Sequence, residues 1–472
     1  MKKLFSKIQN NNAPFWEFIF IMLFWTFLWF SIDTYIGDLE KKNFLGLLFK
    51  IRVIPVLIFS ALAYLIISTH LKNSFYKIIN KNNFILLLFL LYFTIQVLGL
   101  YSNSIERFNF ENLYLVFQAY GVLSIFFLIK FLNIEIQKIL KYFFYISILI
   151  LASYISTILV IQIKDIFIPK NNEILFTNFY SIIQPGEKYL DRELPRITGV
   201  SRMLAVINIT LLLILDSNKK KSFYLLIPII ILSTLIWGMQ SRGTIICFFI
   251  SSIIIIFFLN KIKITQALFL FLFINIAPIF FFQITINKIN EKIIETNNEI
   301  LENKDKILEN KDKILESKDE GNIDIRIFEN KTTSGRVEIW KRSLSLYNYL
   351  NIFGYGPQGD RYLLRQTSEA DKYSNNASNA IIYFFLSAGY LGVIISILIY
   401  LRIFFILYTF YNKKIYKNNL DIPTKASFIF LIFFLLRSLI ENSFSLFSID
   451  FLLFINSIMI SENLLAKYKK NI

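Results

Sequence analysis

Residues 84–102 read FILLLFLLYFTIQVLGLYS, nineteen in succession without a charged side chain. At 1.5 Å per residue such a run makes a helix about 28 Å long, close to the roughly 30 Å hydrocarbon core of a bilayer. Its backbone amides find no water there, so they have to be paired within the segment, and a helix does that.

The same signature recurs on both sides of this stretch. Apolar runs lie at roughly 15–32, 53–69, 84–102, 113–129, 143–163, 203–215, 222–239, 244–259, 266–286, 379–408, 425–441 and 447–461, in a chain of 472 residues that is 55% hydrophobic and contains 51 Phe. The expected fold is therefore all-α: a polytopic membrane protein with about 12 transmembrane helices. The first run carries Trp25 and Trp29 and lacks a small-residue cleavage site, which reads as a retained span. The single cysteine, Cys247, lies inside an apolar run, so no intrachain disulfide is available.

An even number of spans puts both termini on one side, and charge says which. With the N-terminus cytoplasmic, the inner segments are 1–14, 70–83, 130–142, 216–221, 260–265, 411–424 and 462–472. They hold twenty Lys and Arg against four acids, Glu135, Asp216, Asp421 and Glu462, a surplus of sixteen in a chain whose formal charge is +17. The positive-inside rule accounts for nearly the whole basic balance, and nucleic acid is not needed to explain it.

The resulting organisation is 1–163 with spans one to five, an outer loop 164–202, 203–286 with spans six to nine, a large outer loop 287–378, and 379–472 with the last three spans. The second loop opens with a charged repeat of period seven over 293–320, whose apolar pairs are adjacent rather than at spaced coiled-coil positions. It reads as a solvated helical projection. Beyond it, TTSGRVEIWKRSLSLYNYLNIFGYGPQGDR (332–361) places Val337, Trp340, Leu344 and Tyr347 on one helical face, with Lys341 and Arg342 pointing elsewhere. This predicts an interfacial helix over about 335–350, with Arg336 in its first turn. The glycines of Gly354-Tyr-Gly356 are expected to shape a tight turn back towards the membrane; no strand precedes them, which argues against a dinucleotide site.

Three arginines share an outer, headgroup-level setting: Arg196 before the sixth span, Arg242 between the seventh and eighth, and Arg336. Ser241 is placed to cap the eighth span beside Arg242. A guanidinium is permanently charged and donates two parallel hydrogen bonds, which suits phosphate or pyrophosphate; plain headgroup anchoring is the competing reading. Glu441 stands at the outer end of the eleventh span, one turn after Arg437. An i, i+4 ion pair between them competes with a proton-accepting role for Glu441. Metal-site spacing of His, Cys and carboxylates is absent.

The stretches PRITGVSRMLAV, QSRGTIICFF, TSGRVEIWKRSLSLYNYLNIFGYG, NASNAIIYFFLSAGYLGV and RSLIENSFSLFSIDFLLF, in that order from about 190 to 455, resemble the O-antigen polymerases of the Wzy type, within the family that also contains the O-antigen ligases. The resemblance implies a metal-independent glycosyltransferase without cofactor at the periplasmic face of the bacterial inner membrane, its two long loops periplasmic. The donor would be an undecaprenyl-pyrophosphate-linked oligosaccharide, extended into O-antigen or a related surface polysaccharide, with a chain-length regulator as a further partner. Arg196, Arg242 and Arg336 would then bind pyrophosphate. The ligases are the nearest alternative. They use an outer histidine near the start of a late span, where this chain offers Ser378 and Asn379 as acceptor-side candidates, alongside Arg437 and Glu441. The single histidine, His70, falls in an inner segment. A non-enzymatic lipid-linked oligosaccharide flippase or transporter is the reading from another class; the lack of an internal repeat and the long outer loops weigh against it.

Overall fold

The computed structural model describes residues 13–32, 53–78, 84–103, 110–130, 135–167, 197–217, 223–239, 241–259, 264–280, 284, 336–349, 351–366, 376–417 and 420–470. The charged repeat and Arg196 lie outside them. Among the described residues there are fourteen α-helices and no strand. They are α1 (Ala13–Ser31), α2 (Val53–Ile78), α3 (Phe84–Asn103), α4 (Phe110–Leu128), α5 (Ile136–Phe167), α6 (Ile197–Ser217) and α7 (Phe223–Gly238). The remainder are α8 (Arg242–Ile253), α9 (Ile264–Asn275), α10 (Arg336–Ser345), α11 (Gly359–Arg365), α12 (Ala380–Asn412), α13 (Ile422–Ser438) and α14 (Ile449–Lys470).

Every apolar run of the sequence coincides with one of these helices, which is the all-α expectation. Length and composition together mark four segments as able to cross a bilayer: Phe84–Ser102, Ile136–Thr157, Ala380–Asn412 and Ile449–Tyr468. Seven shorter apolar helical stretches accompany them. The multi-pass membrane character is thus plain, while the twelve crossings counted from the sequence exceed the four marked this way.

The chain divides into two compact units. The second, 155–191 with 196–332, contains α6 to α9. There α6 packs along α7, tied by Asn208 Nδ2 donating to Ser233 Oγ at 2.8 Å, and Ser252 Oγ of α8 donates to Asn275 Oδ1 of α9 at 3.2 Å. Such interhelical bonds satisfy polar groups that lipid would leave unpaired.

The first unit, 1–154, 192–195 and 333–472, carries α1 to α4, most of α5, and α10 to α14. Its centre is α14, whose apolar window is 89% buried. Aromatic rings fill the space around it: Phe454 stacks on Phe444 at 4.5 Å, and Phe451 meets Phe89 and Phe93 of α3 edge-on. At α1, Trp25 stacks on Phe143 of α5 at 4.3 Å while its indole N–H donates to Ser147 Oγ at 3.1 Å.

Polar contacts tie the connections of this unit to one another. Lys141 pairs with Asp421 at 2.9 Å, and Lys467 reaches both Glu135 and Gln137. These contacts join 130–142, 411–424 and 462–472, three segments assigned to the inner side. At the opposite end Asn351 Nδ2 donates to Ser102 Oγ at 3.2 Å and Asn379 Nδ2 to the Leu439 carbonyl at 2.8 Å, joining segments assigned to the outer side.

A break in α12 organises that outer end. Gly389 has φ 62° and ψ −153°, a region essentially restricted to glycine, and interrupts the hydrogen-bond ladder. Residues 351–356 lie across the break as a strap. The amides of Tyr355 and Gly356 donate to the carbonyls of Leu386 and Ser387 at 3.0 and 2.8 Å, and the Leu391 amide donates to the Ile352 carbonyl. Backbone that a kink would leave unpaired is thereby satisfied by another part of the protein. The approach is too close for side chains. A Cβ at Gly354 would lie 2.4 Å from the Gly389 nitrogen, and one at Gly99 on α3 would lie 2.7 Å from the Phe353 carbonyl oxygen. The expected glycine turn is therefore a helix-repairing strap between α3 and α12.

Candidate active site

The strap anchors a small outer assembly of α10, α11 and the first arm of α12. Ile339 and Leu346 of the α10 segment, Leu363 and Leu364 of α11, and Ile382, Tyr383 and Leu386 of α12 share one apolar cluster. This corrects the orientation read from spacing. The face that packs is Ile339, Arg342, Ser343 and Leu346, with the expected Trp340 half-buried against it, whereas Leu344 and Tyr347 are exposed. Arg342 does not point away: it is buried, and its Nη2 donates to the Leu364 carbonyl at 3.3 Å. Periodicity misplaced the face because α10 is apolar on two sides.

Arg336 opens α10, and its Nη2 contacts Glu441 Oε1 at 2.8 Å, with both side chains about a fifth exposed (24% and 19%). The two residues are 105 positions apart. Glu441 sits past the end of α13, its amide donating to the Arg437 carbonyl at 2.8 Å. The expected Arg437–Glu441 ion pair is replaced by two others. Arg437 faces Asp450 in the first turn of α14 at 3.6 Å, both nearly inaccessible. The Glu441 amide still bonds the Arg437 carbonyl, so backbone proximity is kept, but each side chain has a partner from another element.

Asn379 is the N-cap of α12, its Oδ1 accepting the Ile382 amide at 3.1 Å. The other end of the same amide group bonds Leu439, two residues before Glu441. Ser378 adopts φ 48°, its amide bonded to Asn376 Oδ1 and its hydroxyl to the Asn376 carbonyl. Asp360, at the start of α11, accepts the Ala377 amide at 2.9 Å and so holds the base of this loop. Burial pushes the Asp360 carboxyl above its ordinary range, opposed by that amide and by the Arg361 charge. Sequence reading passed over Asp360 and Asp450. An acid in the first turn of an apolar helix, as in SIDFLLF, was the available signal for the second; nothing comparable marked the first.

Arg242 begins α8 in the second unit. Ser241 precedes it as expected, but the hydroxyl donates to Thr244 Oγ1 at 3.1 Å instead of accepting a helix amide. Among the described residues no cluster of three or more His, Cys, Asp and Glu has metal-binding geometry.

The geometry thus brings a partly exposed guanidinium and a partly exposed carboxylate together near the Asn379 cap, among segments that the charge pattern assigns to the outer side. Residues 226–397 match the family model for O-antigen ligase, Wzy_C. The match begins in α7 and ends in α12, covering Arg242, Arg336, the strap and Asn379 but not Arg437 or Glu441. It supports the O-antigen ligase and polymerase family of glycosyltransferase-like membrane enzymes, and does not separate ligase from polymerase. No curated protein and no solved structure matches the chain.

Proposed function

We propose that the protein polymerises lipid-linked oligosaccharide repeat units at the periplasmic face of the inner membrane, crossing it twelve times with both termini in the cytoplasm. The observation that carries this is the Arg336–Glu441 contact at 2.8 Å, which supports a reading in which Arg336 takes the pyrophosphate and Glu441, its neighbour, the acceptor proton. In the reaction the anomeric C–O bond to the undecaprenyl pyrophosphate breaks and a bond forms to a hydroxyl oxygen of the acceptor unit. The electron pair of the broken bond leaves with the pyrophosphate, whose developing charge Arg336 stabilises. The hydroxyl proton passes to Glu441. So good a leaving group needs no general acid, and none is assigned. Arg196 and Arg242 retain the pyrophosphate role that the sequence resemblance gives them. Donor release requires neither nucleotide sugar nor metal.

Ligation is the second reading, with which the matching family is equally compatible. Against it stands NASNA at 376–380, with asparagine and serine where the resemblance leads one to expect the ligase histidine. Electrophoresis of surface glycans from a deletion strain decides between them. Loss of a polymerase leaves one repeat unit on the lipid core; loss of a ligase, or of a flippase, leaves none. In the complemented strain Arg336→Lys should shorten or abolish the ladder at unchanged protein level. Loss of a hydrogen bond to a charged group costs about 1.5–3 kcal/mol, or roughly ten- to a hundredfold in rate when the contact is made in the transition state.

A further inference from the structure

The contact between Arg336 and Glu441 raises a steric point. A leaving pyrophosphate and an incoming hydroxyl lie on either side of a sugar carbon, yet the two side chains assigned to them touch at 2.8 Å. No sugar fits between them in that state. Resting on the reading of the site above, we propose that the Arg336–Glu441 ion pair is a latch which the donor's diphosphate opens, so that Glu441 becomes a free proton acceptor only once Arg336 holds the donor.

Three observations support this. First, the contact joins separately mounted elements. Arg336 is carried by α10, which is packed into its apolar cluster, whereas Glu441 lies in the non-helical connection between α13 and α14. Parting the side chains therefore does not require unwinding a helix. Second, both partners keep some exposure, 24% and 19% of their side chains. The neighbouring Arg437–Asp450 pair is 3% and 0% exposed, and no incoming anion reaches it without unpacking the helices. Third, charge favours exchange: a diphosphate carries more negative charge and more acceptor oxygens than the carboxylate it replaces on the same guanidinium.

The latch has a chemical consequence. In the closed pair Glu441 Oε1 is taken up by Arg336, so in the empty site that oxygen is not open to a water or hydroxyl. Donor binding then precedes acceptor activation, and the donor is committed to a sugar hydroxyl.

The test uses the purified full-length protein in phosphatidylethanolamine–phosphatidylglycerol nanodiscs, with inorganic pyrophosphate and farnesyl diphosphate as probes in calorimetric titration. Glu441→Gln removes the competing charge and should bind both probes about tenfold more tightly than the wild type while losing turnover. Glu441→Asp, which shortens the reach but keeps the carboxylate, should also bind them more tightly. Arg336→Ala should lose probe binding. If both Glu441 variants, with melting temperatures like the wild type, bound no more tightly than the wild type while Arg336→Ala lost binding, the latch would be wrong and the assignment of Arg336 would stand. Unchanged binding in Arg336→Ala would instead overturn the assignment on which the latch rests.

Discussion

Replacing Gly389 by alanine tests whether the strap holds the site together. The new Cβ would lie 2.4 Å from the Asn351 carbonyl oxygen, 2.5 Å from that of Ile352 and 2.6 Å from the Gly354 nitrogen. All three are backbone atoms, which cannot swing aside as a flexible side chain would. Two costs add. Overpacking a close contact costs about 1–3 kcal/mol, and holding a non-glycine residue at φ 62°, ψ −153° costs about 1–3 kcal/mol more. Their sum, roughly 2–6 kcal/mol, is comparable to the total stability of many domains. The strap should be expelled or the unit destabilised, and α10 with Arg336 released from its place opposite Glu441. Thermal unfolding of the purified protein in nanodiscs, followed by tryptophan fluorescence, should show a large fall in melting temperature, and the glycan ladder of the complemented strain should collapse. Gly199→Ala serves as control: its nearest neighbour to a built Cβ is Arg202 Nη2 at 3.8 Å, and alanine in a helix should be neutral or stabilise by up to about 1 kcal/mol. A Gly389→Ala protein with wild-type melting temperature and wild-type ladder would refute the account of the break and its strap.

Arg342→Ala should cost about 1.5–3 kcal/mol by removing the charged donor to the Leu364 carbonyl, and Arg342→Lys should recover part of that, both read by thermal unfolding. Asp360→Ala should cost a similar amount, because the Ala377 amide is orphaned, whereas Asp360→Asn keeps an acceptor oxygen and should be nearly neutral. The raised Asp360 carboxyl also gives a sign. Its contribution to stability is fully present below its ordinary value of 3.8 and is lost as pH rises through the higher folded value, so melting curves for Asp360→Asn should fall less with rising pH than the wild type over that window. Reporter fusions at Asn218 and Asn418 should report cytoplasm and those at Pro185 and Asn330 the periplasm; an inverted result at any of the four breaks the twelve-span layout.

What the sequence determined by itself was whatever adds up along the chain. Apolar length decides which segments become helices, as it did for 84–102, and the placement of Lys and Arg sorts the connections. In the first unit, Lys141–Asp421 and Lys467–Glu135 join segments that this pattern assigns to one side. The setting of Arg336 at the start of a helix was legible in the same way, from a glycine before it and an amphipathic run after it. Partners were not. Arg437 had a plausible mate four residues on, but its side chain meets Asp450 from another helix instead. Glu441 in turn found an arginine 105 residues away. Those pairings follow from where helices stop and how they cross. Burial and charge are properties of each residue, so a sequence reads them directly, but a hydrogen bond or ion pair belongs to two positions at once, and folding alone brings them together.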